Sequence, residues 1–166
     1  FLMQQYFKIS IGIFFALAAS RFIPHPPNFT NLIALSFYIP ALLGVRYLPI
    51  VLFSFAITDI FFSFHATLLF TWSAVILIGW TSKYIRGGMT NRIAGAVIGA
   101  IIFYIVTNFG FWTTGYYGYD LSGLINSYIL AIPFFGNSLI STLIYATIFE
   151  ICYKIYIFKF KNKSIA

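Results

Sequence analysis

The sequence predicts an all-α, polytopic membrane protein with six transmembrane helices and with both the N- and C-termini in the cytoplasm. Hydrophobic residues make up 61% of the 166 positions and charged residues only 8%, whereas soluble domains carry about 25% charged residues. A soluble domain of this size could not remove so much apolar surface from water. A spanning helix needs about 20 residues. Residues 1–166 therefore have room for about six spans and form a single integral membrane domain.

Prolines, glycines and polar residues divide the chain into apolar segments. The run Pro24-His25-Pro26-Pro27 ends the first segment because proline cannot continue a helix, and Thr30 or Asn31 can cap the second. A further apolar stretch, residues 121–132, is too short to cross a bilayer, so we interpret it as a re-entrant or interfacial helix. The six predicted spans cover residues 6–23, 31–44, 48–64, 67–82, 93–109 and 136–158.

Lysines and arginines predict the orientation, because the cytoplasmic loops of membrane proteins carry an excess of them. With the N-terminus inside, Arg21 alone falls on the outer side. This bias requires an even number of spans. The same bias explains the net charge of +7 as a consequence of membrane topology, so nucleic acid is not predicted as a partner. The basic tail is expected to attract anionic lipid. The cytoplasmic set comprises Lys8, Arg46, Lys83, Arg86, Arg92, Lys154, Lys159, Lys161 and Lys163.

Asp59 lies within the third predicted span, where an ionisable group costs about 2.5–3.5 kcal/mol on insertion scales. It must therefore face protein or water and have a polar partner on the outer side. Two interpretations remain open: a structural ion pair with Arg21 and a ligand site that opens outward. The side chains predicted to form a ligand site with Asp59 are Arg21, His25, Asn28, His65, Asn108 and Trp112.

Trp112 belongs to a predicted outer loop, residues 110–120, that is rich in glycine and aromatic residues. Aromatic side chains at this level are typical of the belt at a membrane–water interface. Glycine hinges between stacking faces also suit a lid over a ligand. We predict both roles for the loop.

The sequence gives little indication of catalysis. It contains no P-loop, zincin or nucleophile-elbow motif, and His25, His65 and Asp59 show no metal-ligand spacing on one element. We therefore predict no metal, no cofactor and no enzyme activity. An acid–base pair of Asp59 and His65 in a membrane enzyme ranks third among the functions considered.

Small residues recur at four-residue steps in two predicted spans. Gly12, Ala16 and Ser20 lie on the first, and Gly95 and Gly99 on the fifth. This spacing lets helices approach closely in lipid. Packing within the chain is the default expectation, and docking to another membrane subunit is the alternative. In the last span, the spacing of Glu150 and Lys154 predicts a helical ion pair.

Several motifs resemble a functionally uncharacterised family of bacterial membrane proteins. The most specific is the stretch from Ser20 to Thr30, which reads SRFIPHPPNFT. The supporting motifs are Asp59 with Phe64-His65, Thr107-Asn108-Phe109-Gly110, Leu121-Ser122-Gly123 and residues 132–137, IPFFGN. That family is described as candidate transport proteins similar to the substrate-binding S components of energy-coupling factor transporters.

The resemblance implies a six-helix S-component-like fold in the bacterial cytoplasmic (inner) membrane. It implies a ligand held near the outer face by the loop after the first helix, the ends of the third and fifth helices and the last outer loop. It also implies that small residues of the first helix contact a membrane coupling subunit that works with ATPases. Here the usual alanine pair of that helix is Ala16 with Ser20, which is a departure from the pattern.

These expectations together predict a solute-uptake protein, the substrate-binding subunit that captures a small vitamin-like compound from outside. Its expected partners are that small molecule, the lipid bilayer, and either the coupling subunit or another membrane complex. The alternative function is a structural or assembly subunit of a larger membrane complex.

Overall fold

The computed structural model describes residues 2–62 and 65–163, with side chains over 3–62 and 65–159. The described chain is all-helical, and it contains no strand. Its helices are α1 (Leu2–Phe22), α2 (Leu32–Leu43), α3 (Leu48–Phe62), α4 (Leu68–Thr81), α5 (Met89–Trp112), α6 (Leu121–Ile129) and α7 (Ile132–Lys163), with a short 3-10 turn at Val45–Tyr47. The predicted end of the third span, Phe64, and the side chains of Lys161 and Lys163 lie outside the described residues.

Helix ends follow the breakers only approximately: α1 begins at Leu2 and not at residue 6, α5 begins at Met89 and not at residue 93, and α7 extends to Lys163 and not to residue 158. Two further differences have a clear cause or consequence. The last helix begins at Ile132 and not near residue 136, because Pro133 sits in the first turn, where its missing N–H costs nothing. The fifth helix extends to Trp112, so the first three residues of the predicted outer loop are helical. Helix α6 has nine residues, and it is too short to span, as predicted.

Helix α2 lies at the centre of the bundle and packs against α1, α3, α4, α5 and α7. Eight of its twelve residues are buried. On one side Leu32 and Leu35 pack with α1, α3 and residue Val75 of α4. On the other side Ile33, Phe37 and Tyr38 pack with α4, α5 and α7. The core is therefore organised in two clusters that share this one helix.

Three helical segments are long and apolar enough to cross a membrane, within the described ranges: Val45–Phe62, Met89–Trp112 and Ile132–Lys159. They indicate a membrane protein. Helices α2 and α4 are apolar but have 12 and 14 residues, or about 18 and 21 Å at helical rise. Both fall short of a hydrocarbon core about 30 Å thick. The count of six spans therefore stays a prediction.

The two ends of the bundle differ in chemistry. The end that carries the α4–α5 loop, with Lys83 and Arg86, is called the basic end below. The opposite end carries the α5–α6 loop, with Tyr116 and Tyr119, and is called the aromatic end. Both tyrosines are largely exposed, as expected for an interfacial belt.

The two small-residue ladders have different surroundings. Gly95 packs against the ring of Phe37, and Gly99 lies against Ile78 and Ile33, so the ladder of α5 serves packing within the chain. By contrast, a Cβ added at Gly12 would meet no atom within 4 Å, and Ala16 is exposed.

Ser20, the third residue of the α1 ladder, is buried. Its hydroxyl donates to Asn31 Oδ1 at 2.7 Å, and the Asn31 amide donates to the Ala16 carbonyl at 2.8 Å. These bonds join the end of α1 to the start of α2. Ser20 therefore takes part in packing within the chain and does not belong to the exposed face of α1.

The direct ion-pair partner of Glu150 is Arg92 and not the predicted Lys154, whose charge acts on Glu150 only as a minor contribution. Both carboxylate oxygens of Glu150 accept hydrogen bonds from Arg92, from Nε and Nη2 at 2.7 Å each, and Tyr38 donates to Oε1 at 3.0 Å. A bidentate arginine on a facing helix is a stronger partner than a lysine one turn along the same surface. This cluster ties α2, α5 and α7 together at the basic end.

Gly95→Ala should lower the free energy of unfolding by about 1–3 kcal/mol, because the new methyl group would overlap the Phe37 ring. Gly12→Ala is the matched control, since its methyl group meets open space. The control should be neutral or slightly stabilising through its effect on helix propensity. Unfolding in detergent followed by circular dichroism measures both, and equal stabilities would contradict the close α2–α5 contact.

Candidate ligand site

Asp59 is buried, with 2% of its surface exposed, and it pairs with Arg21 as predicted. Arg21 Nη2 lies 2.7 Å from Asp59 Oδ1. The sequence did not indicate the second partner, Trp72, whose indole N–H donates to Oδ2 at 2.9 Å. Both carboxylate oxygens are thus occupied by partners from α1 and α4.

Arg21 is as fully engaged as its partner. Its Nη1 donates to the hydroxyl of Thr58 and to the carbonyl of Phe55, the latter at 3.3 Å. The guanidinium lies over the rings of Phe55 and Phe62, at 4.6 and 4.8 Å from their centroids. The pair therefore joins α1, α3 and α4, as the structural interpretation of Asp59 requires.

Two adjoining cavities open beside this pair at the aromatic end, with volumes of about 260 and 340 Å³. They share four lining residues: Asn28, His65, Thr71 and Phe103. Ligand cavities in proteins commonly hold about 300–1,000 Å³. The combined space suits a compound of modest size.

Six of the seven predicted site residues line these cavities. The smaller cavity is lined by Arg21, His25, Asn28, Asp59 and His65, and the larger by Asn28, His65 and Asn108. Trp112 lines neither. Its indole N–H donates to the Asp120 carbonyl at 3.3 Å, which ties the end of α5 to the start of α6.

The α5–α6 loop forms part of the wall of the larger cavity. Tyr117 of the loop and Phe111 in the last turn of α5 line it and pack together with ring centroids 5.5 Å apart. Gly118 has a φ of +93°, which a residue with a side chain rarely adopts. The turn leads into Asp120, whose carboxylate accepts the N–H of Gly123 at 2.8 Å and caps α6. The loop is thus bonded to the helix that follows it.

Helix α6 is held against α5 by two tyrosines that the sequence reading missed. Tyr104 donates to the Tyr128 carbonyl at 2.5 Å, and Tyr128 donates to the Ile105 carbonyl at 2.8 Å. Burial, and secondarily the neighbouring Tyr104, raises the pKa of the Tyr128 hydroxyl. Tyr128 therefore stays a donor at neutral pH. Only the aromatic spacing along α5 and α6 could have suggested this contact.

The polar groups that remain for a ligand are mostly uncharged, because Asp59 and Arg21 are already paired. Asn108 donates from Nδ2 to the Tyr104 carbonyl at 2.7 Å, so Oδ1 is left to accept. His65 is linked through Nδ1 to Thr67 at 2.8 Å. With aromatic walls and a few such polar groups, the site can recognise a small, polar aromatic molecule. No group of three or more metal-ligating side chains occurs among the described residues.

The long apolar helices indicate an α-helical membrane protein, and its cavities leave a small-molecule-sized space near one end. The chain belongs to the family described as "Family of unknown function (DUF6580)", which it matches over residues 2–163. No curated protein matches the chain. No solved structure matches it either.

Asp59→Leu should lower the free energy of unfolding by about 3–5 kcal/mol, because it strands the buried charge of Arg21. The double variant Arg21→Met/Asp59→Leu should recover much of that loss, since no unpaired charge remains. Thr58 keeps its own acceptor, the Phe55 carbonyl at 2.8 Å, in the double variant, whereas Trp72 loses its acceptor in Asp59→Leu and in the double variant alike. A double-mutant cycle from unfolding in detergent measures the coupling. Additive losses would show that the two side chains do not act as a pair.

Proposed function

We propose that this protein is a solute-uptake protein of the bacterial cytoplasmic membrane, with six spans, an S-component-like fold and cytoplasmic termini. It serves as the substrate-binding subunit and captures a small vitamin-like or heteroaromatic compound. The observation that carries this proposal is the pair of adjoining cavities beside Asn28, His65 and Asn108. Their aromatic and amide lining supports a flat, polar ligand.

The positions of the charges support entry from outside. The cavities lie at the aromatic end, whereas Lys83 and Arg86 lie at the basic end. Because basic loops stay in the cytoplasm, the cavities would face the outer side. The chain carries no P-loop motif, so uptake would depend on a coupling subunit with ATPases or on another energy source. The exposed face of Gly12 and Ala16 supports contact with such a subunit.

A structural or assembly subunit is the second candidate, and the buried Arg21–Asp59 pair favours it. The charge of Asp59 is already neutralised, and each of its oxygens already accepts a hydrogen bond from the protein. In that case the cavity would be incidental and the exposed face of α1 would carry the function.

Labelling of single cysteines in intact cells tests the topology. In a Cys152→Ser background, Thr114→Cys should react from outside and Gly88→Cys only after permeabilisation. Both positions are exposed, and Cys152 must be replaced because it is exposed as well. Reaction of Gly88→Cys in intact cells would reverse the orientation and move the cavities to the cytoplasmic side.

Asn108→Leu should remove the solute from the protein, because it replaces the amide by an apolar side chain of similar shape that can neither donate nor accept a hydrogen bond. Mass spectrometry of small molecules that co-purify with the protein measures this. Asn126→Leu is the matched control, since Asn126 is exposed on α6. We expect a compound enriched with the wild type and the control, and depleted at least about tenfold with Asn108→Leu, as for loss of a buried hydrogen bond. Equal enrichment in all three would favour the structural subunit.

A further inference from the structure

A third cavity, of about 550 Å³, lies at the basic end, far from the candidate ligand site. The end of α2, the α4–α5 loop and α7 enclose it. Its polar lining includes Ser82, Lys83, Arg86, Arg92 and Tyr153. Neither the proposed uptake function nor the packing of the core uses this space.

The charges that line the cavity are unbalanced. The charge of Arg92 is neutralised by Glu150, whose two carboxylate oxygens both accept hydrogen bonds from the guanidinium. Lys83 and Arg86 have no carboxylate partner among the described residues. The other two acidic residues of the chain, Asp59 and Asp120, lie toward the aromatic end. Two positive charges in a shared concave space attract an anion.

The two cations are also held in place. The Nζ of Lys83 lies 3.7 Å from the ring centroid of Trp80. Arg86 donates from Nε to the Lys83 carbonyl at 2.8 Å, which leaves the terminal nitrogens of its guanidinium to meet an acceptor.

The loop that carries them is fixed by the first turn of α5. Asn91 donates to the Arg86 carbonyl, and Arg92 Nη1 donates to the Gly87 carbonyl, both at 2.9 Å. Since Arg92 is itself bound to Glu150, the buried ion pair anchors the loop. The positive end of the α5 dipole adds to the potential there.

We propose that this cavity binds a phosphate group, presented by the headgroup of an anionic membrane lipid. A guanidinium and an ammonium are the side-chain groups that best match phosphate oxygens. Trp80, over whose ring the ammonium of Lys83 lies, and Tyr84, which follows Lys83 in the chain, are 50% and 75% exposed, as aromatic residues at the headgroup level are. Free phosphate offers the same oxygens, but it would make no use of these exposed aromatic side chains.

Native mass spectrometry of the purified protein with added phosphatidylglycerol or phosphatidylcholine tests the proposal. The wild type should retain phosphatidylglycerol preferentially. Lys83→Gln/Arg86→Gln should weaken that binding by about tenfold or more, since each basic group near an anionic surface contributes about a fivefold factor. The matched control is Lys8→Gln/Lys159→Gln, which removes the same charge at exposed positions outside the cavity. Because Lys159 belongs to the basic tail that is expected to attract anionic lipid, some weakening is expected, but it should be smaller than in Lys83→Gln/Arg86→Gln.

Three results would overturn the proposal. Equal weakening in both double variants would mean that only the overall charge attracts the lipid. Loss of the preference in Lys83→Arg/Arg86→Lys, which keeps both charges, would contradict the electrostatic argument. Calorimetry with inorganic phosphate in a neutral detergent tests the source of the phosphate. Binding there, without any preference for phosphatidylglycerol, would exclude a lipid headgroup as the ligand.

Discussion

The structure depends on one constraint: a charge buried in this apolar bundle must be paired with a charge from another helix. The chain has only three acidic residues, and the two buried ones, Asp59 and Glu150, each bind an arginine at 2.7 Å. One pair joins α1 to α3 at the aromatic end, and the other joins α5 to α7 at the basic end. Breaking either would leave a charge without water or partner. The two pairs therefore fix the relative positions of the helices on which both cavity systems depend.

The sequence could predict the first pair but not the second, for a physical reason. Arg21 was the only fixed cation expected on the outer side, so the sparse charges and the predicted orientation left Asp59 few partners. Glu150 had several cations within reach at the basic end, and the local helical spacing pointed to Lys154. The actual partner, Arg92, is 58 positions away, a separation that only the packing of α5 on α7 reveals. The same limit applies to Trp72, because an indole N–H leaves no charge pattern in a sequence.

The site residues illustrate what a pattern can and cannot decide. The predicted membrane orientation placed Asn28, His65 and Asn108 at one end of the helices, and in the structure all three line the larger cavity at the aromatic end. The pattern could not show that both oxygens of Asp59 accept hydrogen bonds from the protein itself. This is the observation that favours a structural ion pair over a ligand-binding carboxylate. The pattern also could not distinguish the two small-residue ladders. The α5 ladder meets Phe37 and is used for packing, whereas Gly12 and Ala16 face outward, although their spacing is the same.

Helix α2 lies between the cavities at the aromatic end and the cavity at the basic end. Leu32 and Ile33 at its start line the smaller cavity at the aromatic end, while Pro40 and Gly44 at its end line the cavity at the basic end. Between them, residues 34–38 are all buried and fill the middle of the bundle. Close-packed side chains of this kind leave no passage for a solute. A compound held at the aromatic end could therefore reach the other side only if α2 moved relative to its neighbours or if the chain moved as a unit. Under the proposed uptake function, transport against a gradient by either movement would need an energy source besides this chain, and the exposed face of α1 is the surface proposed for contact with such a partner.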